Sequence, residues 1–149
     1  MSTTPRMRFL SLFVPNLAAA AERYAAVFGL APREGPGDAP SPHPFAGGTP
    51  VVFDLGQVCL ALYQCDGRTT HPGDVGIGVE VADPTSTTEA VRASGGQVFF
   101  GPRAAPGDGR DLAIFVLPDR HFFEIVKGPG EGEVQGEAGG EDVRGGDQR

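Results

Sequence analysis

Few residues in this 149-residue chain are able to do chemistry, and one of them is a carboxylate in an apolar run. Glu124 lies in the segment FFEIV, where strand alternation places Phe122 and Val126 on its side of a sheet. A carboxylate beside apolar side chains loses hydration, so its charged form is disfavoured unless donors or a cation compensate. Glu124 is therefore the candidate catalytic residue, as a general base or as a group that orients a ligand amine or hydroxyl. The alternative is a structural carboxylate hydrogen-bonded to Ser11.

The histidines and cysteines are the other candidates. His43 lies in a proline-rich stretch, and His71 and His121 lie in predicted turns, where surface positions are expected. Cys59 and Cys65 are six residues apart in one strand-like run. An extended run would separate them by roughly 20 Å, which is beyond disulfide reach. Two free thiols are predicted.

The elements that must position these residues occur twice. The strand-like run Arg8 to Val14 precedes an alanine-rich helical segment, Leu17 to Phe28. A second strand, Val75 to Val81, precedes a helix from Pro84 to about Ser94. The two copies match at an offset of 67 residues in three places: Val14 with Val81, Asn16 with Asp83 at the helix caps, and Gly29 with Gly96 at the helix ends.

A predicted hairpin follows each helix, with turns near Leu55-Gly56 and near Asp119-Arg120. In the first copy, residues 31–50 connect the helix to the hairpin and contain six prolines and four glycines. This composition predicts an irregular and mobile flap. The sequence predicts an α+β fold of two βαβββ modules, residues 6–66 and 74–127, within a single domain of residues 1–127.

Three features together resemble the vicinal oxygen chelate superfamily, which includes glyoxalase I, the bleomycin-resistance proteins and the extradiol dioxygenases. They are the repeat, the strand-to-helix turns, and the segments AERYAAVFGL and LPDRHFFEIV. The resemblance covers residues 6 to 127. It implies a curved mixed sheet that forms a cleft, with the helices on its outer face. It also implies a homodimer whose clefts are completed at the subunit boundary.

The resemblance further implies where a metal would bind, because metal-using members place one ligand on the first strand and one on the last strand of each module. The matching positions here are Phe9, Ala61, Gly76 and Glu124. Only the last can ligate, and one carboxylate does not hold a hard dication tightly. No metal and no other cofactor is predicted. Recruitment of a loop histidine is the alternative.

The cleft face follows from strand alternation in the register that the resemblance implies, with Phe115 paired to Glu124 across the second hairpin. Glycines at 76 and 78 would open room in the cleft, and the aromatic rings would stack on a flat ligand. A packed core that uses the glycines for close approach is the alternative. The predicted ligand-binding residues are Phe9, Ser11, Phe13, Val52, Cys59, Ala61, Tyr63, Gly76, Gly78, Phe115, Phe122 and Glu124.

Three functions fit this composition. The first is a metal-independent binding protein for a small aromatic or amine-bearing molecule, of the drug-resistance or sequestration type. The second is a glyoxalase- or dioxygenase-like enzyme, with an unusual metal site or a metal-free mechanism built on Glu124. The third is a regulatory module that contacts a partner through the proline-rich flap or the acidic tail.

Charge and hydropathy exclude other classes. The net charge is −7, and residues 128–149 hold six acids against two bases, so the rest of the chain carries −3. Without a basic surface, nucleic-acid binding is not expected. No apolar run of about 18 residues predicts a membrane span, and no signal peptide is recognised, so a cytoplasmic protein is expected. The glycine-rich acidic tail, residues 128–149, is predicted to be disordered.

Overall fold

The structure is a computed structural model that describes residues 4–104 and 109–128. All of the tail predicted to be disordered, except Gly128, lies outside the described residues. The elements in chain order are β1 (Arg6–Val14), α1 (Leu17–Phe28), β2 (Ala46–Leu55), β3 (Val58–Cys65), β4 (Val75–Val81), α2 (Pro84–Ala93), β5 (Gln97–Ala104), β6 (Asp111–Val116) and β7 (Phe122–Lys127).

The strands of the described residues form one mixed sheet in the order β2-β3-β1-β4-β7-β6-β5. β1 runs parallel to β3 and antiparallel to β4, and β4 runs parallel to β7. Because β1 and β4 are neighbours at the centre, the two modules share one sheet without a break. The predicted α+β fold is confirmed. No helix in the described ranges is long and apolar enough to cross a membrane.

The two strand-to-helix turns are built as the sequence predicts. The Asn16 side chain accepts a hydrogen bond from the Ala19 amide at 3.0 Å, and the Asp83 side chain accepts one from the Thr85 amide at 3.1 Å. These bonds satisfy backbone donors that the first turn of a helix leaves unpaired. Gly29 ends α1 with a φ of 66°, in the left-handed region where glycine has no steric penalty.

Both helices pack on the same side of the sheet. α1 places Ala20 against Leu60 and Leu62, and α2 places Val91 against Ala113 and Ile125. We call the opposite side of the sheet the cup face. Nearly all of its side chains are buried, including those of Phe9, Ser11, Phe13, Val52, Cys59, Ala61, Tyr63, Leu112, Ile114, Glu124 and Val126.

The first module differs from the predicted βαβββ unit because it has one strand fewer. β5 of the second module has no equivalent in the first, where residues 31–45 form neither helix nor strand. Only the Arg33 amide, which donates to the Val52 carbonyl at 2.7 Å, bonds to β2 as an added strand would. Residues 46–50, predicted as part of the flap, belong to β2 instead, where Pro50 is accommodated on an edge strand. The first module is therefore βαββ.

The predicted pairing of Phe115 with Glu124 is wrong. The second hairpin closes through five residues, 117–121, rather than a two-residue turn, so Ile114 pairs with Glu124 and Phe115 pairs with Phe123. A shift of one residue moves a side chain to the other face of a sheet. Phe115 therefore packs in the helix-side core with Ala113 and Ile125 and does not line the cup.

The first hairpin is also shifted, but by two residues, which leaves the faces unchanged. Val52 pairs with Ala61 rather than Cys59, and Cys59 pairs with Asp54. Because side chains alternate with a period of two, Val52 and Cys59 both stay on the cup face as predicted. Cys59 and Cys65 are free thiols, also as predicted.

The two cup-face glycines bring neighbouring side chains onto the backbone instead of opening empty space. A Cβ at Gly78 would lie 2.4 Å from the ring of Phe9, and a Cβ at Gly76 would lie 2.8 Å from a carboxylate oxygen of Glu124. The room expected at these positions is therefore filled by Phe9 and Glu124. The alternative prediction, close approach at glycine, holds at both positions.

Replacement of Gly78 by alanine is expected to lower the free energy of unfolding by about 1–3 kcal/mol, because the added methyl overpacks the ring of Phe9. Denaturant unfolding of G78A, F9A and the double variant measures the coupling, and the G78A cost should shrink when Phe9 is absent. G47A is the matched control, since nothing lies within 4 Å of a Cβ at Gly47. An equal cost in both backgrounds would contradict the described packing.

Candidate active site

A carboxylate without access to water lies at the centre of the cup face. Glu124 is 0% exposed on β7 and accepts a hydrogen bond from the Ser11 hydroxyl of β1 at 2.6 Å, through Oε1. Its other oxygen, Oε2, contacts Nε2 of His43. Each carboxylate oxygen therefore has one partner, which compensates for the hydration that the group has lost.

The second ring nitrogen of His43 fixes the tautomer. The Phe45 amide donates to His43 Nδ1 at 3.0 Å, so Nδ1 is an acceptor and carries no proton. The ring proton is therefore assigned to Nε2, which donates it to Glu124 Oε2. This hydrogen bond lies in a place where neither side chain is exposed.

Aromatic rings enclose the imidazole. His43 makes edge-on contacts with Phe13 and Tyr63, with ring centroids 5.2 Å and 4.9 Å away, while Phe13 and Tyr63 stack on each other at 5.5 Å. Phe45 and Phe122 complete the surroundings, packed against the same core. The flat aromatic surface predicted for a ligand is thus present, and the imidazole ring of His43 occupies it.

Tyr63 closes the cup on the side of the proline-rich segment. Its hydroxyl donates to the carbonyl oxygen of Pro40. Burial raises the pKa of Tyr63 well above its usual value, and the nearby negative charge of Glu124 adds to the increase, against a smaller opposing effect of Ser11. Tyr63 therefore stays protonated as a hydrogen-bond donor throughout the neutral range.

The segment that carries His43, residues 31–45, is here called the plug loop. It folds over the cup, where Ala39, Pro40 and His43 become buried. At its end the Phe45 carbonyl accepts from the Thr70 hydroxyl at 2.6 Å. A turn supports Thr70, because Asp66 accepts from three successive backbone amides, which lower the pKa of its carboxyl to about 2 despite the opposing effect of burial.

The structure brings together most of the residues that the sequence predicts for a site. Phe115 is the exception, and His71 and His121 stay at the surface beside Asp74 and Asp119. His43 is the residue of this buried cluster that sequence reasoning places only as an alternative. The cup face holds the predicted residues Phe9, Ser11, Phe13, Val52, Cys59, Ala61, Tyr63, Gly76, Gly78, Phe122 and Glu124.

The donor set does not fit a divalent metal ion. Three of the four positions at which metal-using relatives would place ligands hold Phe9, Ala61 and Gly76, none of which can ligate. Glu124 and His43 are in direct contact, so the pair leaves no room for an ion between its atoms. Within residues 4–104 and 109–128, no group of three or more His, Cys, Asp or Glu could hold a metal.

Comparison with solved structures supports the fold. Methylmalonyl-CoA epimerase from Mycobacterium tuberculosis aligns with a TM-score of 0.60 and 11% identity over 83% of this chain and 87% of that one. An epimerase from Streptomyces coelicolor in complex with 2-nitronate-propionyl-CoA gives 0.61 and 16% identity, over 82% and 96%. A glyoxalase/bleomycin resistance protein/dioxygenase superfamily member from Vibrio splendidus 12B01 gives 0.58 and 15%, over 84% and 100%.

At these identities the comparison shows the fold alone, and the chain has the vicinal oxygen chelate fold that its sequence predicts. No family model and no curated protein sequence matches the chain.

The raised pKa of Tyr63 can be measured directly in a Tyr24→Phe variant, where Tyr63 is the sole tyrosine of the chain. Phenolate absorbance at alkaline pH should rise with a midpoint well above 10. Because the folded state favours the neutral phenol, the free energy of unfolding should fall as pH rises above the ordinary tyrosine pKa, and not below it. An absorbance midpoint near 10 in the folded protein would contradict the described burial.

Proposed function

We propose that this chain is an enzyme that moves a proton on a small organic carbonyl compound bound in the cup, with Glu124 as the base and without a metal ion. The observation that carries the proposal is the buried hydrogen-bonded set of Ser11, Glu124 and His43. A buried carboxylate with one oxygen fixed by Ser11 is a group suited to proton transfer. This is the enzyme alternative of the sequence analysis.

In the proposed step the substrate lies between Glu124 and His43 and replaces their mutual hydrogen bond. Glu124 Oε2 accepts a proton from the carbon next to the carbonyl, so the C–H bond breaks and its electron pair moves onto the carbonyl oxygen. His43 donates its Nε2 proton in a hydrogen bond to that oxygen, which stabilises the enolate. Return of the proton from Glu124 to carbon completes the cycle with no other reactant.

Hydrogen bonds in the structure prepare both groups for these roles. Ser11 occupies Oε1, so Oε2 is the oxygen left for the substrate once His43 moves aside. The Phe45 amide on Nδ1 keeps the His43 proton on the nitrogen that faces Glu124. The donor and the base are therefore set before substrate binds, and the enclosing rings exclude competing water.

Substrate entry requires the plug loop to move, since its imidazole fills the aromatic part of the cup. His43 lies on a segment with neither helix nor strand, so no element has to unfold when the loop shifts outward. The hydrogen bonds of Pro40 to Tyr63 and of His43 to Glu124 break in that movement. Loop displacements of this kind accompany substrate binding in many enzymes.

The solved structures with the same fold support proton transfer as the reaction class. Several are named methylmalonyl-CoA epimerases, and epimerisation beside a thioester consists of removing and returning a proton at carbon. One such complex holds 2-nitronate-propionyl-CoA, in which an anionic nitronate stands in for an enolate. The proposal carries over the reaction class and leaves the substrate to experiment.

Proton transfer is tested by hydrogen exchange at carbon. Methylmalonyl-CoA and simple acyl thioesters are incubated with the full-length protein in D2O, and loss of the proton beside the carbonyl is followed by NMR. Glu124→Gln is expected to lower the exchange rate by about 100-fold or more, the range that a general base contributes. The fold should survive, because the glutamine oxygen can accept from His43 while its amide donates to Ser11.

Glu89→Gln, on the exposed side of α2, is the matched control and should exchange at the wild-type rate. Exchange by E124Q at the wild-type rate would contradict the role of Glu124. Binding of the thioesters with no exchange by any variant would instead favour the binding-protein hypothesis. A stoichiometric metal in protein purified without a chelator would contradict the metal-free mechanism.

The sequence-based predictions of drug sequestration, a homodimer and a cytoplasmic location stay predictions. Sedimentation of the full chain measures the oligomeric state. Thermal shift with aromatic drugs measures sequestration, since a ligand at 100 times its dissociation constant adds about 2.7 kcal/mol of stability.

A further inference from the structure

We infer that Asp38 of the plug loop holds the place of a carboxylate or phosphate group on the substrate, bound by Arg8 and Arg110. The inference deepens the proposed function, because it rests on the same cup and names the chemical class of its ligand: an organic anion whose charge lies away from the reacting carbon.

The Asp38 carboxylate lies between two arginines. Arg8 donates to Oδ2 through Nε at 3.2 Å and through a terminal nitrogen at 3.1 Å. Arg110 lies 3.6 Å from Oδ1 and donates to the Asp38 carbonyl at 3.3 Å. Each carboxylate oxygen thus faces a different guanidinium, which is how arginines bind carboxylates and phosphates. The side chains of Arg8, Asp38 and Arg110 are 28–30% exposed, so this ion-pair cluster lies at the rim of the cup and not in the core.

A bulge in β1 places Arg8 for this contact. The pairing of β1 with β4 shifts between Met7 and Phe9, so Arg8 lies at the irregularity. A bulge re-aims a side chain that regular alternation would send to the opposite face. Arg8 therefore reaches the plug loop, although its neighbour Phe9 is the residue on the cup face.

The neighbouring acid does not compete for this arginine. Glu80 is buried on β4 and pairs with Arg6 at 2.9 Å, so it has its own cation. When the plug loop moves outward, Asp38 leaves the guanidinium group of Arg8. The anionic group of the substrate then binds to Arg8 in place of Asp38.

The reacting end of the substrate lies at Glu124. In the closed arrangement His43, five residues after Asp38, contacts Glu124 within the aromatic cup, and the substrate separates the two groups. Along β1, Arg8 precedes Ser11 by three residues, which is roughly 10 Å in an extended strand. The expected substrate therefore joins a carbonyl group at Glu124 to an anionic group near Arg8, several bonds away.

Binding of matched probes tests the inference without relying on catalysis. Monomethyl suberate carries one carboxylate and one ester carbonyl, dimethyl suberate lacks the charge, and hexyl phosphate carries a phosphate. Calorimetric titration of the full-length chain with each probe gives the affinities. The monoester is expected to bind more tightly than the diester, and comparison with hexyl phosphate decides between carboxylate and phosphate as the natural group.

The first variant removes the negative charge of Asp38, which competes with the probe for Arg8. Asp38→Asn should bind the anionic probe roughly three- to tenfold more tightly, because a partly exposed ion pair no longer competes for Arg8. Arg8→Gln should weaken the anionic probe relative to the neutral diester by a similar factor, and binding of the diester measures how far the loop itself has loosened in each variant. Asp119→Asn and Arg23→Gln, both at exposed positions, are the matched controls.

A merely structural ion pair gives the opposite result. If Arg8 and Asp38 only tie the loop down, R8Q leaves the preference for the anionic probe over the diester unchanged, which overturns the inference. Arg8→Lys, which keeps the charge, provides a folded comparison if R8Q is unstable, and equal probe affinities in R8K, D38N and the wild type also overturn it. The two proposals can fail separately. If D38N binds the anionic probe more tightly but the wild type catalyses no hydrogen exchange at carbon, the proposed function is contradicted and this inference is not.

Discussion

A carboxylate deprived of water must find hydrogen-bond donors, and this requirement organises the cup of the protein. Glu124 obtains one donor from Ser11, which lies on the central strand β1. The second comes from His43, on a loop 81 positions earlier in the chain. Because leaving either oxygen without a partner would cost about 1–3 kcal/mol or more, the loop and the sheet stabilise each other's positions. The chemistry proposed for the cup depends on the same pair.

The asymmetry between the two modules follows from the same arrangement. The second module extends its hairpin with β5, whereas the corresponding part of the first module folds over the cup. Its prolines and glycines disfavour a strand, and it contacts the sheet through separate hydrogen bonds, such as that from Tyr63 to Pro40, and through buried side chains such as His43. The second module thus contributes only sheet to the cup, whereas the first contributes both sheet and the loop that covers it. The internal repeat is therefore incomplete at the segment that bears most directly on ligand entry.

The sequence predicts those features that depend on neighbouring residues. Asn16, Asp83 and Gly29 act locally, so their caps are as expected from pattern alone. Alternation also places Phe9, Ser11 and Phe13 on one face. The prediction for Phe115 is wrong because the register of a hairpin depends on the number of residues in its turn, and the sequence pattern predicts two where the structure has five. His43 lies in a stretch without periodicity, so no local signal indicates that tertiary packing brings it to Glu124.

Because the plug loop covers the cup, a measured ligand affinity also includes the free energy of opening the loop. If the closed arrangement dominates, every ligand must compete with an intramolecular rival, and the apparent dissociation constant equals the intrinsic one divided by the fraction of molecules that are open. A closed fraction of about 99% would make a micromolar ligand behave as one of about 100 micromolar. A compound screen at low concentration would then miss molecules that fit the cup well, whereas truncating the imidazole at position 43 would reveal them.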